Sequence, residues 1–128
     1  MTASESRLPE SYLPLTPAMF HVLLVLAEGD HHGYSILKQV LNRSEGSVRL
    51  STGTLYGIIK RLLAEGMIEQ PRNRRPSARD DARRRYYRLT ALGRQVAEAE
   101  ARRLEEIVRL ARKGALLGDS RLAFEEGD

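Results

Sequence analysis

The sequence predicts a mainly α-helical fold with a small β-hairpin, a winged helix-turn-helix followed by a long C-terminal helix, and three observations predict it. Residues 51–89 read in order as an amphipathic helix with a polar start, a short strand, an arginine-packed loop and a returning strand. Between residues 71 and 88, eight arginines stand against two aspartates, a local balance of +6 in a chain whose total is +4, so everything else sums to −2. Residues 91–113 sustain one apolar stripe, longer than so small a domain covers by itself.

The elements follow in order. Residues 1–15 mix Ser, Glu and two prolines with Tyr12, Leu13 and Leu15 and hold no period, so a mobile N-terminal tail that docks only locally is expected. Thr16 is placed to cap a helix whose first residue, Pro17, has no amide to leave unpaired and a fixed helical φ. That helix runs through Met19, Phe20 and residues 22–26 to Glu28, with Gly29 as its stop. Apolar on almost every side, it belongs at the centre of the core, and His21 reads as a partly buried structural residue. His31 and His32 read as turn residues. Gly33 opens a second helix with Tyr34, Ile36, Leu37, Val40 and Leu41 on one stripe, and Val48 and Leu50 alternate with polar neighbours as a short strand does.

Ser51 caps the third helix, whose buried face is Leu55, Ile58, Ile59, Leu62 and Leu63. The opposite face presents Thr52, Gly53, Thr54, Gly57, Lys60 and Arg61. Two hydroxyls, two residues without side chains and two cations suit a helix that lies against a phosphate backbone and reaches base edges from its amino end. A glycine inside a helix costs about 1 kcal/mol relative to alanine, so Gly57 implies a closely approaching surface, DNA or another helix. Gly66 ends this helix, residues 67–69 begin a strand, and residues 70–82 form the wing loop, with Asp80 and Asp81 moderating arginine repulsion. Arg72, Arg74, Arg75, Arg79, Arg83, Arg84 and Arg85 are the wing's candidate DNA contacts.

Thr90 caps the final helix, residues 91–113, which carries Leu92, Val96, Ala99, Leu104, Ile107 and Leu110. A second copy of the same helix is the simplest cover for that stripe, giving a two-fold homodimer; folding back onto its own domain is the alternative. Arg103 interrupts the stripe, which favours helices crossing over a short contact rather than an extended coiled coil. The organisation expected is therefore a mobile tail (1–15), a winged helix-turn-helix (16–90), a dimerisation helix (91–113) and an acidic tail (114–128).

Composition narrows the function classes. One domain fits in 128 residues at 41% hydrophobic content. No cysteine is present, which removes disulfides, thiolate metal sites and cysteine nucleophiles and agrees with a reducing cytosol. The longest apolar run, residues 22–27, is far short of the roughly 20 residues of a membrane span, and nothing at the start reads as a secretion signal, so a cytoplasmic protein without membrane attachment is expected. Three histidines without clustered carboxylates leave no nucleophile and base to name and no metal site, so neither enzymatic activity nor a cofactor is expected. The arginine cluster instead calls for nucleic acid. Double-stranded DNA is the first reading; a protein-interaction adaptor or a nonspecific RNA binder is the rival.

Taken together, these pieces resemble the PadR-like transcriptional regulators, a bacterial winged-helix family, over residues 15–113. The resemblance is carried by Leu15-Thr16 with the apolar first helix, His32-Gly33-Tyr34-Ser35-Ile36, Gly53-Thr54-Leu55-Tyr56, the Glu65-Gly66 turn, and Arg85-Tyr86-Tyr87-Arg88-Leu89-Thr90 followed by Gly93-Arg94. It implies a homodimeric repressor whose third helix enters the major groove and whose wings meet the neighbouring backbone or minor groove. Thr54 and Tyr56 fall at the family's signature positions, which adds Tyr56 to the candidate DNA contacts Ser51, Thr52, Gly53, Thr54, Gly57, Lys60 and Arg61. Where the family commonly has proline after that tyrosine, this chain has Gly57. Some dimers of this kind bind planar aromatic compounds between subunits, so a small-molecule effector of unknown identity is an open expectation; no tryptophan is present to stack on one.

Overall fold

The computed structural model describes residues 8–71 and 85–118. A 3₁₀ helix (Pro9–Tyr12) precedes α1 (Pro17–Leu26), β1 (His31–His32), α2 (Gly33–Arg43), α3 (Thr52–Ala64), β2 (Ile68–Glu69), β3 (Tyr86–Leu89) and α4 (Ala91–Lys113).

The helix starts are set by the residues read as caps. Thr16 Oγ1 accepts from the Met19 amide at 3.1 Å, Ser51 Oγ from the Thr54 amide at 3.1 Å, and Thr90 Oγ1 from the Gly93 amide at 3.0 Å. α2 is capped by an imidazole, His32 Nδ1 accepting from the Ser35 amide at 3.2 Å. Gly66, at φ 79°, ends α3. There the Met67 amide donates to the Leu62 carbonyl at 2.9 Å and the Gly66 amide to the Leu63 carbonyl at 3.1 Å, the two bonds of a Schellman close.

Four elements supply the core around α1. Val22, Leu23, Ile36, Val40, Leu55, Leu62, Met67, Ile68 and Val96 are all buried. Each large aliphatic side chain buried this fully contributes about 1.5–3 kcal/mol. The sheet order is β1-β3-β2, antiparallel throughout, with His31 opposite Tyr87, His32 opposite Tyr86, Ile68 opposite Leu89 and Glu69 opposite Arg88. β2 and β3 are the stems of the wing; its loop, residues 72–84, lies outside the described residues, as do residues 1–7 and 119–128.

Several local expectations are corrected. α1 stops at Leu26 rather than Glu28, and Gly29, at φ 156°, turns the chain toward β1. His31 and His32 form a strand, not a turn, because β3 has a second edge to satisfy and the His32 ring stands edge-on to Tyr86 at 5.5 Å. Val48 and Leu50 form no strand; the Ser44 hydroxyl accepts from the Val48 amide at 2.9 Å and bends that segment into a loop. Tyr34, expected on the buried stripe of α2, is 63% exposed.

Residues 8–15 dock locally, with Leu8, Glu10, Ser11 and Pro14 left exposed. Tyr12 and Leu13 lie half-buried against the core, Leu15 is within it, and the Leu15 amide donates to Glu100 Oε2 at 2.9 Å. The apolar residues of this segment have a groove beside α4 to fill, which a search for periodicity does not register.

The apolar stripe of α4 divides in two. Val96 lies in the protomer's own core with Leu92 half-buried against it, and Ala99 is buried as well. From Leu104 onward the stripe is open: Leu104, Ile107, Val108 and Leu110 are all exposed. Gly93 sets the start of α4 against the turn after α3, since a Cβ there would stand 2.0 Å from the Met67 carbonyl oxygen. Thr90 completes that joint, its amide donating to Met67 O at 3.1 Å and its hydroxyl to Gly66 O at 2.6 Å.

Candidate nucleic-acid interface

The inner face of α3 is held by Leu55, Ile59 and Leu62, each at most 2% exposed. That anchoring turns Thr52, Gly53, Thr54, Tyr56, Gly57, Lys60 and Arg61 toward solvent, all of them exposed as the periodicity requires. At Gly53 and at Gly57 an added Cβ would meet nothing within 4 Å. No described element of this chain therefore approaches either glycine, and the intramolecular explanation of Gly57 has no partner among the described residues.

The hydroxyls at the amino end are ordered. Ser51 Oγ accepts from the Thr54 amide and donates to Thr54 Oγ1 at 2.9 Å, which commits Ser51 to the cap. Thr54 accepts in that bond and retains its own proton to donate outward. Lys60 lies on the same open face, whereas Arg61 lies at the rim of a hollow of about 50 Å³ shared with Glu65, Tyr12, Leu15 and Met19. Arg61 thus stands nearer the N-terminal segment than the amino end of α3.

Tyr56 has a second role that the sequence did not reveal. Its phenol lies over the start of α2, where a Cβ on Gly33 would come within 2.5 Å of the Tyr56 hydroxyl oxygen. A side chain at 33 would have to displace the Tyr56 phenol, so the Gly53-Thr54-Leu55-Tyr56 and His32-Gly33-Tyr34 signatures meet at this contact. With 38% of its surface still exposed, Tyr56 keeps an outward edge. Tyr87 is buried nearby, its phenol hydrogen-bonded by Gln70; burial pushes its pKa up, Tyr56 adds to that, and Arg85 and the Gln70 bond oppose it.

On the wing stem, Arg88 Nε donates to Glu69 Oε2 at 2.7 Å across the strand pair, which ties one of the eight arginines to a carboxylate. Arg85 is exposed where the loop returns. Arg72, Arg74, Arg75, Arg79, Arg83 and Arg84 lie outside the described residues. Among the described residues no cluster of His, Asp or Glu is arranged to hold a metal ion, and no helix is long and apolar enough to cross a membrane.

A helix pair that leaves one helix face open, polar and cationic beside a two-stranded wing is a winged helix-turn-helix, the architecture of DNA-reading regulators. The model of the transcriptional regulator PadR-like family matches residues 22–99, and the chain belongs to that family. It is similar to a transcriptional regulator of Mycobacterium tuberculosis, 36% identical over 89 residues that cover 70% of this chain and 77% of that protein. It is also similar to an uncharacterized protein of Lysinibacillus sphaericus, 33% identical over 72 residues, 56% of this chain; the matched stretch spans 63% of that relative's length. Among solved structures, a PadR family transcription regulator from Clostridium difficile superposes with a TM-score of 0.65 at 26% identity, covering 78% of this chain and 99% of that one. A transcriptional regulator from Clostridium thermocellum gives 0.62 at 26% identity, with 75% and 87% covered.

Proposed function

We propose that this PadR-like regulator is a homodimeric repressor that binds an inverted-repeat operator in double-stranded DNA and blocks transcription by occupying a promoter. α3 enters the major groove by its amino end: Thr52 and Thr54 meet base edges or phosphates, Ser51 holds the cap, Gly53 and Gly57 allow close approach, and Lys60 meets a phosphate. Tyr56 adds its exposed edge, and Arg61 meets the backbone at the far end of the helix. The wing arginines, Arg72, Arg74, Arg75, Arg79, Arg83, Arg84 and Arg85, supply sequence-independent attraction to the neighbouring backbone. Two protomers joined through the exposed part of α4, Leu104, Ile107 and Leu110, set half-sites about one DNA turn, or 10 bp, apart. Relief by a small-molecule effector belongs to the same proposal.

The observation that carries the reading is the open face of α3, where two glycines and the Lys60 ammonium face solvent with nothing within 4 Å of either missing side chain. Fluorescence anisotropy with a labelled duplex of about three helical turns (~30 bp) tests it, with single-stranded RNA of the same length as comparator. The duplex is expected to bind with steep salt dependence, and Lys60→Ala to weaken it and lower the slope of log K against log salt by about 0.9. Binding of RNA without binding of duplex contradicts the reading, and unchanged affinity and slope remove Lys60 from the interface.

A further inference from the structure

Among the described α-helices, α1, α3 and α4 start on a hydroxyl cap and α2 starts on an imidazole. A hydroxyl keeps its acceptor lone pairs in neutral and in mildly acid solution, whereas an imidazole does not. To accept from the Ser35 amide at 3.2 Å, His32 Nδ1 must be unprotonated, which puts the ring proton on Nε2. The imidazolium carries N–H on both nitrogens. Its Nδ1–H would meet the Ser35 N–H donor to donor, and a positive charge would stand at the positive end of the α2 dipole. His31 answers a proton differently: its Nδ1 lies 2.8 Å from Ser35 Oγ, and because a hydroxyl both donates and accepts, that bond reverses on protonation and survives. One of the two neighbouring histidines loses its bond to a proton and the other does not.

The start of α2 is also where three elements meet. Gly33, its first residue, is buried under the Tyr56 phenol of α3. β1 pairs with β3, the returning strand of the wing stem, and the half-buried His32 ring meets the Tyr86 ring edge-on. Losing the cap therefore loosens the first turn of α2 at the place where it supports both Tyr56 and the edge of β3. The charged residues of the elements packed there are cations: Lys38 and Arg43 on α2, Lys60 and Arg61 on α3, and Arg88 on β3 with Arg85 just before it. Tyr86 and Tyr56 contribute uncharged phenols, and Arg88 is tied to Glu69 of β2. Asp30, two residues before His32, is the nearest carboxylate in the chain and favours the imidazolium, as the cations and His31 do not. Neither α2, α3 nor β3 carries a carboxylate that could take the place of the lost bond.

We infer that His32 is a proton-operated cap on α2, and that its protonation between about pH 7.5 and 5.5 loosens the seat of the recognition helix and releases duplex DNA. The inference rests on the DNA reading of α3. The unprotonated ring is the capping form, so its stabilisation is complete above the imidazole range and drains away as pH falls through that range. Charge alone predicts the opposite, since acid adds positive charge to the chain and strengthens its hold on phosphates. The window also lies above the range in which the Glu100 carboxylate, held below its ordinary value by Arg103, takes up a proton.

The test uses the full chain and the same ~30 bp labelled duplex, at neutral and mildly acid pH (about 7.5 and 5.5) in matched salt. On acidification the wild type is expected to lose a few degrees of melting temperature and about threefold or more in duplex affinity. His32→Asn puts an amide oxygen where Nδ1 stands, an acceptor with no proton to gain in this range, and is expected to keep its neutral-pH values of both in acid. His31→Asn is expected to lose both as the wild type does. In the wild type the NMR signal of the Ser35 amide should titrate together with the His32 ring, a readout that needs no variant. An acid loss undiminished in His32→Asn, or a Ser35 amide that ignores the ring, overturns the inference. Duplex binding by the wild type that holds or tightens in acid overturns the inference and leaves the DNA reading standing. Absence of duplex binding even at neutral pH overturns both.

Discussion

At Gly57 a side chain is missing where the protomer has room for one, and the cost of that absence, about 1 kcal/mol against alanine in a helix, is balanced by nothing in the described packing. Gly57→Ala should therefore raise stability by about 1 kcal/mol, seen as a melting temperature higher by a few degrees. Gly57→Glu should fold as well as the wild type and lose at least about tenfold in duplex affinity, since it places bulk and a negative charge against the backbone. Tight DNA binding by Gly57→Glu would show that α3 does not lie on DNA by this face. Glu100 is the opposite kind of residue, a carboxylate buried among apolar side chains. Arg103 donates to it at 2.5 and 3.1 Å and the Leu15 amide at 2.9 Å. The Arg103 hydrogen bonds hold its pKa below the ordinary carboxylate value, against the opposing effect of burial and with help from the Leu15 amide. A depressed folded-state pKa stabilises the fold above the unfolded-state value, and that contribution drains away as pH falls through the folded-state value. Thermal melts from neutral to about pH 3 should show a steep acid limb that Glu100→Gln flattens while lowering the neutral-pH melting temperature; a limb unchanged in that variant would assign acid sensitivity elsewhere.

At the scale of elements, what could be read from the sequence depended on whether a residue's partner lies nearby in the chain. The caps Thr16, Ser51 and Thr90 and the buried face of α3 were legible because each depends on neighbours three or four residues away. The two-residue β1 was not, since it has no period of its own and exists only because β3, more than fifty residues later, offers an edge. Tyr56 on Gly33, Leu15 on Glu100 and Gly93 on Met67 are likewise contacts across the chain, and each gives a familiar residue type a role that spacing does not show. Arg103, which breaks the stripe in the sequence, stands at the change in α4: the stripe N-terminal to it is largely buried in the protomer and the stripe C-terminal to it is open. The dimer contact proposed for α4 thus narrows to Leu104, Ile107 and Leu110, with Val108 exposed beside them. Ile107→Glu combined with Leu110→Glu should halve the mass seen by light scattering and leave the monomer folded by circular dichroism. A dimer that survives this double change would place the contact elsewhere.

For the whole molecule, one protomer presents one recognition helix, and sequence-specific affinity in the proposed mode needs two of them held at a fixed spacing. The tie between the two functions is physical: Gly93 and Thr90 lock the start of α4 to the turn that ends α3, so the open part of α4 and the open face of α3 belong to one packed body. In the proposed mode the wing contributes charge from a loop whose arginines outnumber its aspartates, to attract any duplex, and the paired helices are to select among them. The most direct measurement is selection of bound duplexes from a random DNA pool by the purified chain at near-physiological salt, with its mass in solution recorded alongside. A dimer that enriches an inverted repeat with half-sites about 10 bp apart is the expected result. A monomer, or salt-sensitive binding with no enriched sequence, would contradict a dimeric operator-specific repressor.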